Sequence, residues 1–292
     1  MDFDAFIESA WNDHGDRPQE VGERLAASLA VVQTPAQIAP FARLLTHVFG
    51  EHLGQWRRGI DLLDSMRSLP AFEGSATAAD AVTRARATLS YASGDPLALA
   101  SLGHEDRVCV LAAAAAAFAG RNEFARAIAA YTEALQLADS GLSTESPGNR
   151  ALAVGGNNLA AALETKKDRS VPETDGMVVA AKGGLKYWRR AGTWLEEERA
   201  EYRLTRSLLQ AGESGAAIQS AQRCVDICRA NNAPALEEFF SYAVLALAQR
   251  AAGDDKAFET SRRLALAVFE AVPPDERGWC ETEIDELGGS SV

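Results

Sequence analysis

Three times in this chain a small or leucine position is followed 13 residues later by an apolar position in the next helical stretch: Ala114 to Ala127, Leu204 to Ala217, and Leu245 to Phe258. A constant offset of this kind requires two helices joined by a turn of constant length, so the helix pair is the building unit. The stretch from Val108 to Leu137 carries the pattern most openly. Leu111, Ala114, Ala115 and Phe118 recur at i, i+3, i+4 and i+7 on one helical face, and Gly120 and Asn122 mark a break. Phe124, Ala127, Ile128, Tyr131, Ala134 and Leu135 then form the stripe of a second helix. No strand-like alternation interrupts these stripes, and the spacing predicts an all-α chain.

Ala127-x3-Tyr131 and Ala134-Leu135, just after the turn, resemble the second helix of a tetratricopeptide repeat, where a small residue lets the helices touch and an aromatic packs the seam. The resemblance covers about residues 41–270 and is clearest over 107–265. Corresponding positions 114, 159, 204 and 245 lie 45, 45 and 41 residues apart, against about 34 in that family, which calls for longer helices or connections. The resemblance implies a right-handed α-α superhelix of TPR-like helix pairs with helical caps, in a single domain over 1–292. Cap helices are expected in 1–34, helix pairs over 35–272, and an acidic cap or tail in 273–292.

In chain order the expected elements are cap helices from Phe3 to Trp11 and Pro18 to Val32, then a degenerate pair from Pro35 through the Gly54 turn to Met66. A helix from Asp80 to Ala92 follows, with room for only a short partner at Leu97 to Leu102. After the pair at 108–137, a helix from Leu152 to Leu163 has its partner, Met177 to Arg190, delayed by an insertion at Lys166 to Asp175. Trp194 to Ala211 with Ala216 to Arg229, and Leu236 to Ala252 with Lys256 to Glu270, complete the series.

A net charge of −12 sets a field that repels nucleic acid and anionic membrane surfaces. Four scattered cysteines in 292 residues are no disulfide framework. The acidic N-terminus lacks a signal-peptide layout, and no apolar run approaches about eighteen residues. The expected location is the cytoplasm, with neither nucleic acid nor membrane as partner.

In the resembled family, ligands lie in the groove lined by the first helices of the pairs, and one use of that groove is a carboxylate clamp of lysine, asparagine and arginine. Asn158 matches the clamp's second-repeat asparagine, and Arg199 and Arg203 match its third-repeat cations. Arg206 stands one turn further on, whereas the first-repeat positions are Ala112 and Ala116, so half of the clamp is absent. The residues alone support the stripe. Arg199, Arg203 and Arg206 share a face at i, i+4 and i+7, and Arg203 has no acidic residue at i±3 or i±4. Like charges in line cost a helix a few tenths of a kcal/mol, roughly, whereas guanidinium groups facing a groove can chelate a carboxylate or phosphate. The competing reading is that Glu196, Glu197, Glu198 or a neighbouring helix screens them. Phe240 and Arg250 are expected to line the next repeat, and the small side chains of Ala112, Ala113 and Ala116 to leave part of the groove floor open.

The remaining candidates favour bland readings. Cys224-x3-Cys228 fits buried packing, since free cysteine behaves as a small hydrophobe. His47 and His52 are five apart, about 500° on an α-helix, so they share no face, and no metal site is expected. Gly155-Gly156 and Gly183-Gly184 mark close helix contacts rather than phosphate loops. The basic patch of Lys166, Lys167, Arg169, Lys182, Lys186, Arg189 and Arg190 has no aromatic ladder for nucleic acid. No catalytic residue and no cofactor is expected. The leading expectation is a non-enzymatic helical-repeat protein that binds a peptide or protein partner, acidic or presenting a C-terminal carboxylate. A regulatory sensor taking a small anion on the arginine stripe stands as the alternative.

Overall fold

In the computed structural model, which describes residues 2–288, several helix starts coincide with short polar side chains or prolines, and every described element is helix or turn. Asp2 caps α1 (Phe3–Asp13) by accepting from the Ala5 N–H at 3.3 Å. Pro18 opens α2 (Pro18–Ala27), and Thr34 with Gln37 forms a capping box ahead of α3 (Pro35–His47). α4 (Trp56–Met66), α5 (Ala76–Ala92), α6 (His104–Gly120), α7 (Phe124–Asp139) and α8 (Pro147–Thr165) follow. Capping boxes of Ser170 with Glu173 and Thr193 with Glu196 begin α9 (Val171–Ala191) and α10 (Trp194–Gln210). α11 (Ser214–Asn231), α12 (Ala235–Ala251), α13 (Asp255–Phe269) and the short α14 (Glu281–Glu286) complete the chain.

The chain divides into two compact units, Met1–Gly155 and Gly156–Val292. In the first, Phe6 stacks on Phe41 at 6.1 Å over a core that includes Leu25, Ile38, Leu44, Leu45 and Leu63. The face expected from the sequence is buried between α6 and α7: Leu111, Ala114, Ala115, Phe118, Ala127, Tyr131 and Ala134. Tyr131 donates to the Leu152 carbonyl at 2.7 Å, and a Cβ on Gly155 would sit 3.3 Å from the Ala112 carbonyl oxygen. That close approach closes the groove floor expected to be open at Ala112. The second unit buries Ala217, Ala221, Cys224 and Cys228 on α11 and Phe239, Ala243 and Ala246 on α12. The two thiols are therefore packing groups, and burial pushes the Cys228 thiol up to about 12.

The constant 13-residue offset has a single structural cause. The pairs α6–α7, α10–α11 and α12–α13 each close through a three-residue turn whose middle residue has positive φ: Asn122 at 59°, Gly212 at 75° and Gly253 at 78°. Each turn is locked by the same long hydrogen bond, from Glu123 to the Phe118 carbonyl (2.9 Å), from Glu213 to Leu208 (2.9 Å) and from Asp254 to Gln249 (3.0 Å). This is the Schellman closure, which satisfies carbonyls that a helix end leaves without partners.

Some expectations are corrected. Leu97 to Leu102 forms turns rather than a short helix, because Asp95 caps its own loop by accepting from the Leu97 N–H. α9 starts at Val171 instead of Met177, since Ser170 supplies the cap and Pro172 suits a first turn. The connection before it shrinks accordingly to residues 166–170. Between α3 and α4 the backbone runs as a π-helix over Val48–His52, closed by the Leu53 N–H on the Val48 carbonyl at 3.0 Å. An i→i+5 bonded turn brings residues five apart to one side, so His47 and His52 do share a face. The rotation argument made from α-helical geometry fails there.

Candidate functional site

Among the described residues the second unit holds a cleft of about 410 Å³. Ala161, Glu164 and Thr165 of α8, Tyr202, Arg203, Arg206 and Gln210 of α10, and Phe240 of α12 form its walls, with Trp279, Thr282 and Glu283 from the C-terminal segment. α8, α10 and α12 are the first helices of consecutive pairs, the elements expected to present ligand-binding side chains. Phe240 packs edge-on against Tyr202 at 5.6 Å, and Trp279 is 66% exposed at the cleft.

The arginine stripe is real, but its charges are met from within the chain. Arg199 pairs with Glu237 of α12. Arg203 bonds Glu164 of α8 at 2.5 Å, and Ser207 donates to the other oxygen of that carboxylate at 2.7 Å. Arg206 holds Glu286 of α14 through two nitrogens. The expectation of an unneutralised stripe is thus corrected: Arg203 has no acid at helical spacing on its own helix, yet each of the three arginines finds a carboxylate on another element. Arg203 and Arg206 line the cleft, while Asn158 is exposed on α8 and Arg199 turns to Glu237, neither among the cleft residues. Arg203 retains a buried Nε–H with no partner among the described residues.

The C-terminal segment, an acidic cap or tail on the sequence, carries the short helix α14 over Glu281–Glu286. α14 docks through Ile284, with Cys280 and Leu287 also buried, and aims its acids at the arginine-lined wall. Tyr202 donates to Glu283. Arg250 donates to the Glu286 carbonyl at 2.7 Å and Arg262 to the Leu287 carbonyl at 2.7 Å, so two cations cover the carbonyl-rich end of the short helix. An acidic run with Ile284 and Leu287 three apart on one helical face, Glu281-Thr282-Glu283-Ile284-Asp285-Glu286-Leu287, was the available signal.

One buried acid on α10 has no cation of its own. Glu198 is 1% exposed, and its Oε1 lacks a partner among the described residues. Burial, with the neighbouring Glu237 charge adding to it, raises its pKa from 4.5 to about 8. Glu201, by contrast, accepts from Arg189 (2.5 Å), Arg223 (3.1 Å) and Ser220. Two cations of the basic patch expected around residues 166–190 are likewise met by carboxylates, Lys166 by Glu173 and Arg189 by Glu197, while Arg169 donates to the Leu163, Glu164 and Lys166 carbonyls.

No family model and no curated protein matches this sequence. Two solved structures of a Podosopora anserina protein named as a kinesin light chain with nearly identical TPR-like repeats, one of them a point variant, are similar in fold. Each is 14% identical, with a TM-score of 0.50, covering 81% of this chain and 96% of the other. Among the described residues no helix is long and apolar enough to cross a membrane. Repeated antiparallel-type closures, small-residue seams and this likeness agree on one conclusion: the chain has a TPR-like, all-α helical-repeat fold.

Proposed function

We propose that the protein is a non-enzymatic interaction scaffold whose second unit takes an acidic, amphipathic helical segment of a protein partner. The observation that carries this reading is that one wall of the cleft is already such a segment, docked on the arginine-bearing helix: α14 places Glu283 on Tyr202 and Glu286 on Arg206, with Ile284 buried beneath. A surface that orders a six-residue acidic helix offers the same apolar and cationic contacts to a partner of like chemistry. The partner competes with an attached segment whose effective concentration is on the order of millimolar. Release of the segment frees Arg206 and Arg250 for the incoming carboxylates. We place this activity in a reducing compartment, the cytoplasm, in keeping with four unbridged cysteines. A small anion on the stripe is the weaker reading, because Glu237, Glu164 and Glu286 already neutralise its three arginines.

The test uses a labelled synthetic peptide of residues 275–288, its cysteine replaced by serine, as the ligand in trans. The full chain with Glu283→Gln and Glu286→Lys, which loosens its own segment, should bind the peptide at least about tenfold more tightly than the wild type, as expected when an intramolecular competitor is removed. Adding Arg206→Ala should reverse the gain. Equal and negligible binding by all three proteins refutes the reading.

A further inference from the structure

Three of the four histidines meet in the first unit, far in sequence from the cleft residues. His14 follows the end of α1, His47 directly precedes the π-helical turn, and His52 is its last residue. Their ligand-capable atoms lie within 4.8 Å of one another. The ring centroids are 4.8, 5.0 and 4.8 Å apart, and the ring planes are inclined at 58°, 88° and 80°, so the imidazoles converge edgewise instead of stacking.

Partners on the outer side of the rings fix their tautomers. Glu51 Oε1 lies 2.8 Å from His47 Nδ1, and the Trp11 carbonyl oxygen meets His14 Nδ1. Carboxylate and carbonyl oxygens only accept, so both Nδ1 atoms carry a proton, and in the neutral rings both Nε2 atoms then present a bare lone pair. His52 Nε2 is 3.1 Å from His47 Nε2. Two nitrogens bound to one tetrahedral zinc ion at about 2.0–2.1 Å stand about 3.3 Å apart, so the spacing fits a shared ion with little movement. Carboxylate and carbonyl groups behind ligating histidines are the usual outer partners of such a site.

The backbone adds an independent observation. The π turn is a rare departure from α-helical hydrogen bonding, and its effect here is to place His47 and His52 side by side. All three rings are half-buried, with a side open to solvent. Trp11 covers the His14 and His47 rings at 5.1 Å, and the Arg43 guanidinium sits over Trp11.

We propose that His14, His47 and His52 bind one divalent transition-metal ion through their Nε2 atoms, with zinc the best match to three imidazoles and a tetrahedral spacing. Without the ion, the His52 Nε2–H donates to His47 Nε2. On binding, that proton moves to His52 Nδ1 and three lone pairs face the ion. Three protein nitrogens leave the fourth position to water, the arrangement of an open rather than a closed zinc site. The site would tie the end of α1 to the segment joining α3 and α4.

Equilibrium dialysis of tag-free full-length protein against Zn²⁺ alone, followed by metal analysis, decides the question. The wild type should retain about one equivalent with micromolar or tighter affinity, and His14→Ala, His47→Ala and His52→Ala should each lose at least about a hundredfold. Glu51→Gln, which keeps all three rings, should lose about 10–100-fold; His104→Ala should change nothing. Far-UV circular dichroism without metal establishes that each variant is folded, and the Glu51→Gln result decides if an alanine variant unfolds. No uptake by the wild type, or uptake undiminished in the folded variants of His14, His52 and Glu51, overturns the proposal.

Discussion

The guanidinium of Arg206 reaches across 80 positions of sequence to hold the carboxylate of Glu286, with one of its two bonds at 3.0 Å. The arginine side chain is 17% exposed and the glutamate 36%, so water screens the pair only in part. Glu286→Ala should raise amide exchange over residues 280–288 while leaving the helix pairs intact. A double-mutant cycle with Arg206→Ala should return a coupling of about 1 kcal/mol that shrinks in high salt. Exchange in that segment unchanged by Glu286→Ala would mean that apolar docking alone holds α14.

Glu198 sets a pH dependence whose sign is defined. Its folded pKa of about 8 lies above the ordinary 4.5, so between those values the folded state keeps a proton that the unfolded chain releases. Stability therefore declines as pH rises through that window. Glu198→Gln should flatten the decline and be more stable than wild type at pH 8 by about 1–3 kcal/mol, as measured by urea denaturation across pH. Parallel curves for the two proteins would show that Glu198 is ionised in the fold.

Ala127 and Ala217 are both 0% exposed at the seams of their helix pairs. Ala127→Leu and Ala217→Leu should each cost about 1–3 kcal/mol by overpacking. In a chain of this size that lowers the melting temperature by roughly 2–4 °C per kcal/mol. An unchanged melting temperature for either variant contradicts the seam assignment.

Gly212 and Gly253 isolate backbone strain from crowding, because a Cβ at either would meet nothing within 4 Å. Gly212→Ala and Gly253→Ala should each destabilise by about 1 kcal/mol through positive φ alone. Asn122→Gly, at the equivalent turn, should be neutral or stabilising. The measurement is chemical denaturation of the three variants side by side, and a cost at one glycine without the other breaks the equivalence of the turns.

The helix pairs were legible because each is a local object. Apolar stripes at 111–118 and 124–135 record which face is buried, and Gly120 and Asn122 record where the chain turns. Membership of Arg203 and Arg206 in a cleft was also legible, from their shared face on one helix. Their neutralisation was not, since Glu164 and Glu286 stand 39 and 80 positions away and helical spacing reports only neighbours within a turn or so. The convergence of His47 with His52 was hidden for a different reason. Apolar periodicity carries no mark of an i→i+5 turn, and the usual α-helical rotation gave the opposite answer. His14 could not be joined to them by any spacing rule, because packing of α1 against α3 brings it there.

The shared closure at Asn122, Gly212 and Gly253 makes the junction within a pair independent of what comes before or after it. Such a module can be duplicated, deleted or transplanted as a whole, because its turn is completed by its own carbonyls and asks nothing of its neighbours. Length in a protein built this way changes in increments of one hairpin of helices, so variants with one pair more or fewer should keep the local geometry of every pair they retain.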